Sequence, residues 1–214
     1  MLYKDMQNAP QRLSMLRSYT SADLLTLANA SCGTLSIFFC LSYIADDRTR
    51  WLWAAFVLPV FALVFDALDG YVARLNSNRQ SRLGADLDSL ADIVSFGVVP
   101  AVLGYTLGLR GLWDVAVLTV FVCCGISRLA RFNVTAASLT NTNTGKVRYF
   151  EGTPIPTSIL LVIIMAVLFY YDRTGSSTFG GGHVELLGKG FHPFSVLFFL
   201  SGSLMISTIR VPKP

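Results

Sequence analysis

The sequence predicts an all-α integral membrane protein with six transmembrane helices, and three observations carry that prediction. Hydrophobic residues make up 53% of the 214 positions and charged residues only 14%, with a mean hydropathy of +0.55, which is too apolar for a soluble domain of this length. Six apolar runs, at 22–45, 51–75, 84–109, 112–133, 153–172 and 191–210, each approach the roughly 20 residues needed to cross the hydrocarbon layer. With six crossings, twelve of the 17 Lys and Arg residues share one side with both termini and the second and fourth connections, leaving only Arg48, Arg50, Arg110, Arg173 and Lys189 opposite. That bias places both termini in the cytoplasm.

Residues 1–21 read as a cytoplasmic N-terminal segment and 22–214 as one six-helix domain. The first twenty residues are polar and lack the short apolar core and cleavage pattern of a secretory signal. Pro10 to Thr20 suits a helix at the membrane interface, with Leu13, Leu16 and Tyr19 near one face and Arg12 and Arg17 able to meet phosphates; an ordinary polar leader is the alternative. The first apolar run carries Asn29 and Gly33 in TLANASCG, where a polar interhelical bond would account for Asn29.

The second and third runs hold the most informative residues: Asp66 and Asp69 in FDALDGYVAR, then Asp88 and Asp92 in GADLDSLADIVSFG. One Asp near a helix centre costs about 2.5–3.5 kcal/mol on insertion, so four unpaired ones would jeopardise both segments. A divalent cation removes that difficulty. At about 100° per residue, Asp66, Asp69, Gly70 and Ala73 project from one face, and Gly84, Asp88, Asp92 and Ser95 form a second stripe. Small residues beside the acids leave room for a ligand, so the pattern describes an acidic cleft opening to the cytoplasm. Asp86 is turned about 160° from that face and reads as an interfacial residue or a partner for Arg82.

The fourth run ends in SRLARFN, where Arg128 and Arg131 at i, i+3 share a face beside Phe132 and Asn133; positive-inside anchoring is the plain alternative. Ala136 to Gly152, containing TNTNTGK, reads as a substrate loop or lid beside the cleft. Pro154 and Pro156 set the entrance of the fifth helix, and the glycine-rich 173–190 segment is a connector on the far side. Asp114 and Asp172 read as isolated terminal residues, and His183 and His192 as surface groups on the far side. Cys32, Cys40, Cys123 and Cys124 lack metal-type spacing and read as unpaired packing residues. The net charge of +4 and pI near 9.0 follow the topology rule, so anionic lipid headgroups, not nucleic acid, are the expected partner.

Taken together, Asp66, Asp69, Gly70, Ala73, Arg74, Gly84, Asp88 and Asp92 spell D-x-x-D-G-x-x-A-R, nine residues, then G-x-x-x-D-x-x-x-D. This resembles the signature of the CDP-alcohol phosphotransferases, membrane enzymes that move a phosphoalcohol from a CDP-linked donor to a hydroxyl. LDSLADIVSFGVVPA, CGISRLARFNVT and YFEGTPIPT look like the corresponding stretches of phosphatidylserine synthases, and the closing VPKP is similar to the fungal members. The resemblance covers most of 20–214. It implies CDP-diacylglycerol and L-serine as substrates, six helices around a cytoplasm-facing polar cavity, a homodimer and an endoplasmic reticulum location.

The same resemblance implies roles for named residues. Asp66, Asp69, Asp88 and Asp92 would hold Mn²⁺ or Mg²⁺, as two ions, with Asp92 also the base for the acceptor hydroxyl. Hard cations prefer such carboxylate and phosphate oxygens. Asn29, Gly33, Gly70, Ala73, Arg74 and Gly84 would join Asp66 and Asp69 around the CDP-lipid, with a snorkelling boundary arginine the plain reading of Arg74. Arg128, Arg131, Phe132, Asn133 and Glu151 would bind serine, the guanidinium pair holding its carboxylate. Inositol phosphate or glycerol 3-phosphate remain alternative acceptors within the family. A divalent-cation transporter is the alternative class, weakened because all four acids sit at one end of their helices.

Overall fold

The computed structural model describes residues 20–75, 82–139, 149–174, 184–186, 189–207 and 210–212. The expected interfacial helix at 10–20, most of the 136–152 loop and the glycines at 180–182 lie outside these residues, as do the side chains of Ala73, Arg74 and Glu151.

Helix α1, Ser21–Asp46, starts at a capping box. The Thr20 hydroxyl oxygen accepts from the Asp23 N–H at 3.3 Å, and Asp23 Oδ2 accepts from the Thr20 N–H at 2.7 Å. Asp47, in the left-handed region at φ 52°, ends the helix and donates its N–H to the Tyr43 carbonyl. The chain then reverses into α2, Thr49–Leu75, which packs along α1 as a helical hairpin. Pro59 sits inside α2 and cannot donate to the Ala55 carbonyl; the Ser36 hydroxyl of α1 does so instead, at 2.7 Å.

The third span runs unbroken from Leu83 to Leu107 but changes its winding. It comprises α3, Arg82–Asp92, a π-helical turn, Ile93–Val98, and α4, Val99–Leu107. Pro100 follows the π turn. In α-helical register its missing N–H would have served the Phe96 carbonyl, and the buried Ser158 hydroxyl takes that place at 2.6 Å. This span is the centre of the molecule: 61% of its apolar window is buried, against 22–33% for the other three long helices. Leu103 and Phe96 are wholly buried, whereas Phe38 of α1 and Phe61 of α2 point outward, as lipid-facing residues do.

Helix α5, Leu112–Leu139, packs chiefly against α7, Ser195–Ile206, where Phe121 and Phe198 meet edge to face at 5.3 Å. Between them, a 3₁₀ turn at Ile155–Ser158 leads into α6, Ile159–Tyr170, which lies against α2 and α4. Two short antiparallel strand pairs qualify the all-α expectation: β1, Tyr149–Glu151, with β4, Arg210–Pro212, and β2, Val184–Leu186, with β3, Lys189–Phe191.

Among the described residues, four helices are thus long and apolar enough to cross a membrane: Ser21–Asp46, Thr49–Val72, Leu83–Leu107 and Leu112–Val134. The last two apolar runs form shorter helical stretches, Ile155–Tyr170 and Ser195–Ile206. Pro154 and Pro156 delay the first of these into a 3₁₀ turn, and the second gives way to extended backbone at Ser207. The four cysteines are free.

Asp114 and His192 depart from their expected isolation and surface placement. They are 0% and 1% exposed, and His192 Nδ1 lies 2.6 Å from Asp114 Oδ2. Asp114 also accepts the N–H groups of Gly111, at 3.0 Å, and His192, at 2.9 Å. In the first turn of α5 a carboxylate is favoured by unpaired backbone N–H groups, and here it ties the entry of α5 to the segment before α7.

Candidate active site

The acids occupy the same end of two neighbouring spans: Asp66 and Asp69 in the last turns of α2, Asp88 and Asp92 in the second half of α3. Asp66, Asp69 and Asp88 each offer a carboxylate oxygen, all within 4.8 Å of one another. Asp69 is buried and the other two are half-buried. Three carboxylates this close, at the membrane end of two apolar helices, form a set that can coordinate a divalent metal ion. Asp88 Oδ1 adds an independent sign, being buried without a hydrogen-bond partner among the described residues. Asp86 is exposed.

Asp92 lies outside that three-carboxylate group but interacts electrostatically with all its members. It is 7% exposed, and its Oδ1 accepts a hydrogen bond from Asn29 Nδ2 on α1 at 3.2 Å. Opposite, on α5, Arg128 is half-buried and within electrostatic reach of Asp92, and its Nε is buried without a partner among the described residues. Asp92 therefore lies close to the cluster of like charges without belonging to it, held by Asn29 of α1.

The small residues divide into two kinds. A Cβ added at Gly70, the residue after Asp69, would meet no described residue within 4 Å. A Cβ at Gly33 would come 2.5 Å from Ser95 Oγ and 3.0 Å from its Cα. Gly33 thus brings α1 against the π turn, where the Ser95 hydroxyl donates to the Asn29 carbonyl at 3.0 Å. Gly84 is half-buried.

The residues expected around serine are less uniform. Arg131 and Phe132 are exposed, whereas Asn133 is half-buried and its Nδ2 donates to Ser89 Oγ of α3 at 3.0 Å. The arginines at i, i+3 therefore differ in surroundings, Arg128 turned inward and Arg131 outward. A cavity of about 330 Å³, lined by Tyr43, Asp47, Thr106 and Arg110 among others, lies at the opposite ends of the spans, away from the acids.

Thr26 was not singled out by sequence reasoning, yet its hydroxyl donates to Asp69 Oδ2 at 2.8 Å. The signal was present: Asp23, Thr26, Asn29, Gly33, Ser36 and Cys40 recur every three or four residues, and all are buried. A stripe of small and polar residues along an apolar helix marks the side facing other helices.

Residues 19–200 match the model of the CDP-alcohol phosphatidyltransferase family. The chain is 42% identical over 207 residues to the CDP-diacylglycerol–serine O-phosphatidyltransferase of Saccharomyces cerevisiae, covering 94% of this chain and 73% of that protein. It is 37% identical over 200 residues to the enzyme of the same name from Helicobacter pylori, covering 91% and 73%. An archaetidylserine synthase from Methanothermobacter thermautotrophicus is 35% identical over 157 residues, covering 72% and 61%. No solved structure matches the chain.

Proposed function

The chain belongs to the CDP-alcohol phosphatidyltransferase family, and from that premise we propose that it transfers a phosphatidyl group from CDP-diacylglycerol to the hydroxyl of L-serine, giving phosphatidylserine and CMP. The observation that carries the reading is the convergence of Asp66, Asp69 and Asp88 within 4.8 Å at one end of two spans. Its acceptor is supported by relatives from a fungus, a bacterium and an archaeon, all named for transfer to serine or synthesis of a serine lipid.

Asp66, Asp69 and Asp88 would hold Mn²⁺ or Mg²⁺, and the four-carboxylate set including Asp92 suits two such ions. When bound, the metal neutralises the diphosphate of the donor and the charge that grows on departing CMP. Asp92, buried beside the cluster, accepts the serine proton as the serine oxygen bonds to the phosphorus carrying diacylglycerol and the bond from that phosphorus to CMP breaks. Asn29 keeps one oxygen of Asp92 oriented during that transfer.

Arg128, half-buried and within electrostatic reach of Asp92, is the better placed of the two arginines to hold the serine carboxylate, with Arg131, Phe132, Asn133 and Glu151 assigned to the acceptor by the family resemblance. Gly70, with no described residue near its Cβ position, gives the donor room next to Asp69, and the family resemblance assigns Ala73, Arg74 and Gly84 to the donor as well. Gly33 contributes through helix packing. Asp66 and Asp69 face the donor diphosphate. In the membrane, the two shorter apolar helices complete six crossings around this polar cavity, which opens to the cytoplasm with both termini. By the family resemblance the protein would form a homodimer, and by the fungal one it would reside in the endoplasmic reticulum, among membrane lipids.

Purified protein supplied with CDP-diacylglycerol should release CMP only when serine is present, and chelation should stop the release. Incorporation of inositol phosphate or glycerol 3-phosphate in place of serine would transfer the reading to another acceptor.

A further inference from the structure

Building on that reading, we propose that Thr26 is a positioning residue for the cation site, its hydroxyl tying one oxygen of Asp69 to α1 so that the carboxylate's remaining lone pairs are presented to a divalent cation. Thr26 is 4% and Asp69 6% exposed, and Thr26 Oγ1 lies 2.8 Å from Asp69 Oδ2. The contact joins α1 to α2 across 43 residues of sequence. A hydroxyl has one hydrogen, and Thr26 Oγ1 also lies 3.1 Å from the Ala22 carbonyl; the shorter contact, to an ionised acceptor, is the stronger. An ionised carboxylate cannot donate in return, so the direction of the bond is fixed.

The consequence concerns rotation. The terminal torsion of an aspartate is broad, and without Thr26 the Asp69 carboxylate would keep the local Gly70 N–H but lose its hold from the neighbouring helix. The bond restricts it from a neighbouring helix whose first turn is itself fixed by the capping box between Thr20 and Asp23. Asn29, one turn further along α1, holds Asp92 by the same means. One face of α1 thus orients a carboxylate on each of the two acid-bearing helices. Groups that orient metal ligands in this way typically change affinity by roughly 10–100-fold when removed.

The test uses the full chain in detergent with Mn²⁺ alone, following free Mn²⁺ by electron paramagnetic resonance. Thr26→Val keeps the shape and deletes the donor; it should weaken Mn²⁺ binding by roughly tenfold or more, while Thr26→Ser stays within about threefold of the parent. Thr26→Ala, which also lacks the donor, should show the same loss even if the valine variant melts early. Serine-dependent CMP release by Thr26→Val should recover at high Mn²⁺, a shift in metal requirement with little change in kcat. Parent-like Mn²⁺ affinity in Thr26→Val and Thr26→Ala overturns the inference while leaving the proposed function intact, as does an equal loss in Thr26→Ser. If the parent itself binds no Mn²⁺, the cation reading of the acids falls with it.

Discussion

Ser36 on α1 donates its hydroxyl hydrogen to the main-chain carbonyl of Ala55 on α2, 2.7 Å away, and this is the carbonyl that Pro59 leaves without a helical donor. The same repair recurs four residues before Pro100, where Ser158 donates to the Phe96 carbonyl at 2.6 Å. A carbonyl freed by a proline within a span needs another donor, and in both spans a serine hydroxyl from a neighbouring segment supplies it. Two of the contacts that hold the bundle together are therefore set by prolines.

Deleting the Ser36 hydroxyl leaves the Ala55 carbonyl buried without its interhelical donor. Ser36→Ala should cost about 1 kcal/mol, within the range for polar bonds between membrane helices. For a chain of this size that corresponds to a fall of about 2–4 °C in melting temperature. Pro59→Ala restores an N–H to α2, so Ser36→Ala should cost less in that background. Melting the four proteins of the cycle in one detergent measures the coupling; strictly additive losses would show that Ser36 does not compensate for Pro59.

Gly33 and Gly70 should separate packing from catalysis. Gly33→Ala forces a methyl group to 2.5 Å from Ser95 Oγ and 3.0 Å from its Cα, so α1 must move away from the π turn; a loss of about 1–3 kcal/mol in stability is expected. Gly70→Ala meets no atom within 4 Å and should melt near the parent temperature, yet it narrows the space beside Asp69 and should raise the KM for CDP-diacylglycerol. Paired melting curves and donor titrations check both. Equal melting losses would remove the distinction.

Much of the acidic site was legible because helical spacing fixes which residues share a face. Asp66 and Asp69 on one helix and Asp88 on the next could be aimed at a common point from their intervals alone, and Asp86 could be turned away. Contacts between distant segments leave no such mark. The Asp114–His192 pair spans 78 residues and the Thr26–Asp69 bond spans 43, so neither follows from any local period. The π turn left no local mark either, and the Ser158 hydroxyl that serves its Phe96 carbonyl comes from a distant segment. Hydropathy marked six apolar runs, and Pro154 and Pro156 marked where the fifth helix begins, but neither showed how short the last two helices are.

Asp114 and His192 should govern stability and leave the chemistry alone. The pair is buried and lies at the ends of the spans opposite the acids, and Asp114 also accepts two backbone N–H groups. Asp114→Ala strands those donors as well as the imidazole, and a buried donor left without its acceptor costs about 1–3 kcal/mol. His192→Ala keeps the backbone N–H to Asp114 and should cost less. Serine-dependent CMP release per folded molecule should match the parent in both; a selective fall in kcat would mean that this end of the bundle communicates with the acidic one.

The sharpest functional contrast lies among the acids of α3 and their partner on α2. Asp69 and Asp88 belong to the group within 4.8 Å, whereas Asp86, two residues from Asp88, is exposed. Replacing a ligand carboxylate with an amide removes its charge with little change in shape, so Asp69→Asn and Asp88→Asn should each lower CMP release by about 10²-fold or more, in line with losing 2.7 kcal/mol of transition-state stabilisation. Asp86→Asn should retain most of the activity. The stability effect should run the other way: relieving repulsion between close like charges should leave Asp88→Asn at least as heat-stable as the parent when no metal is added. Comparable activity losses in all three variants would mean that the acids act through the general charge of this surface and not through one shared coordination point.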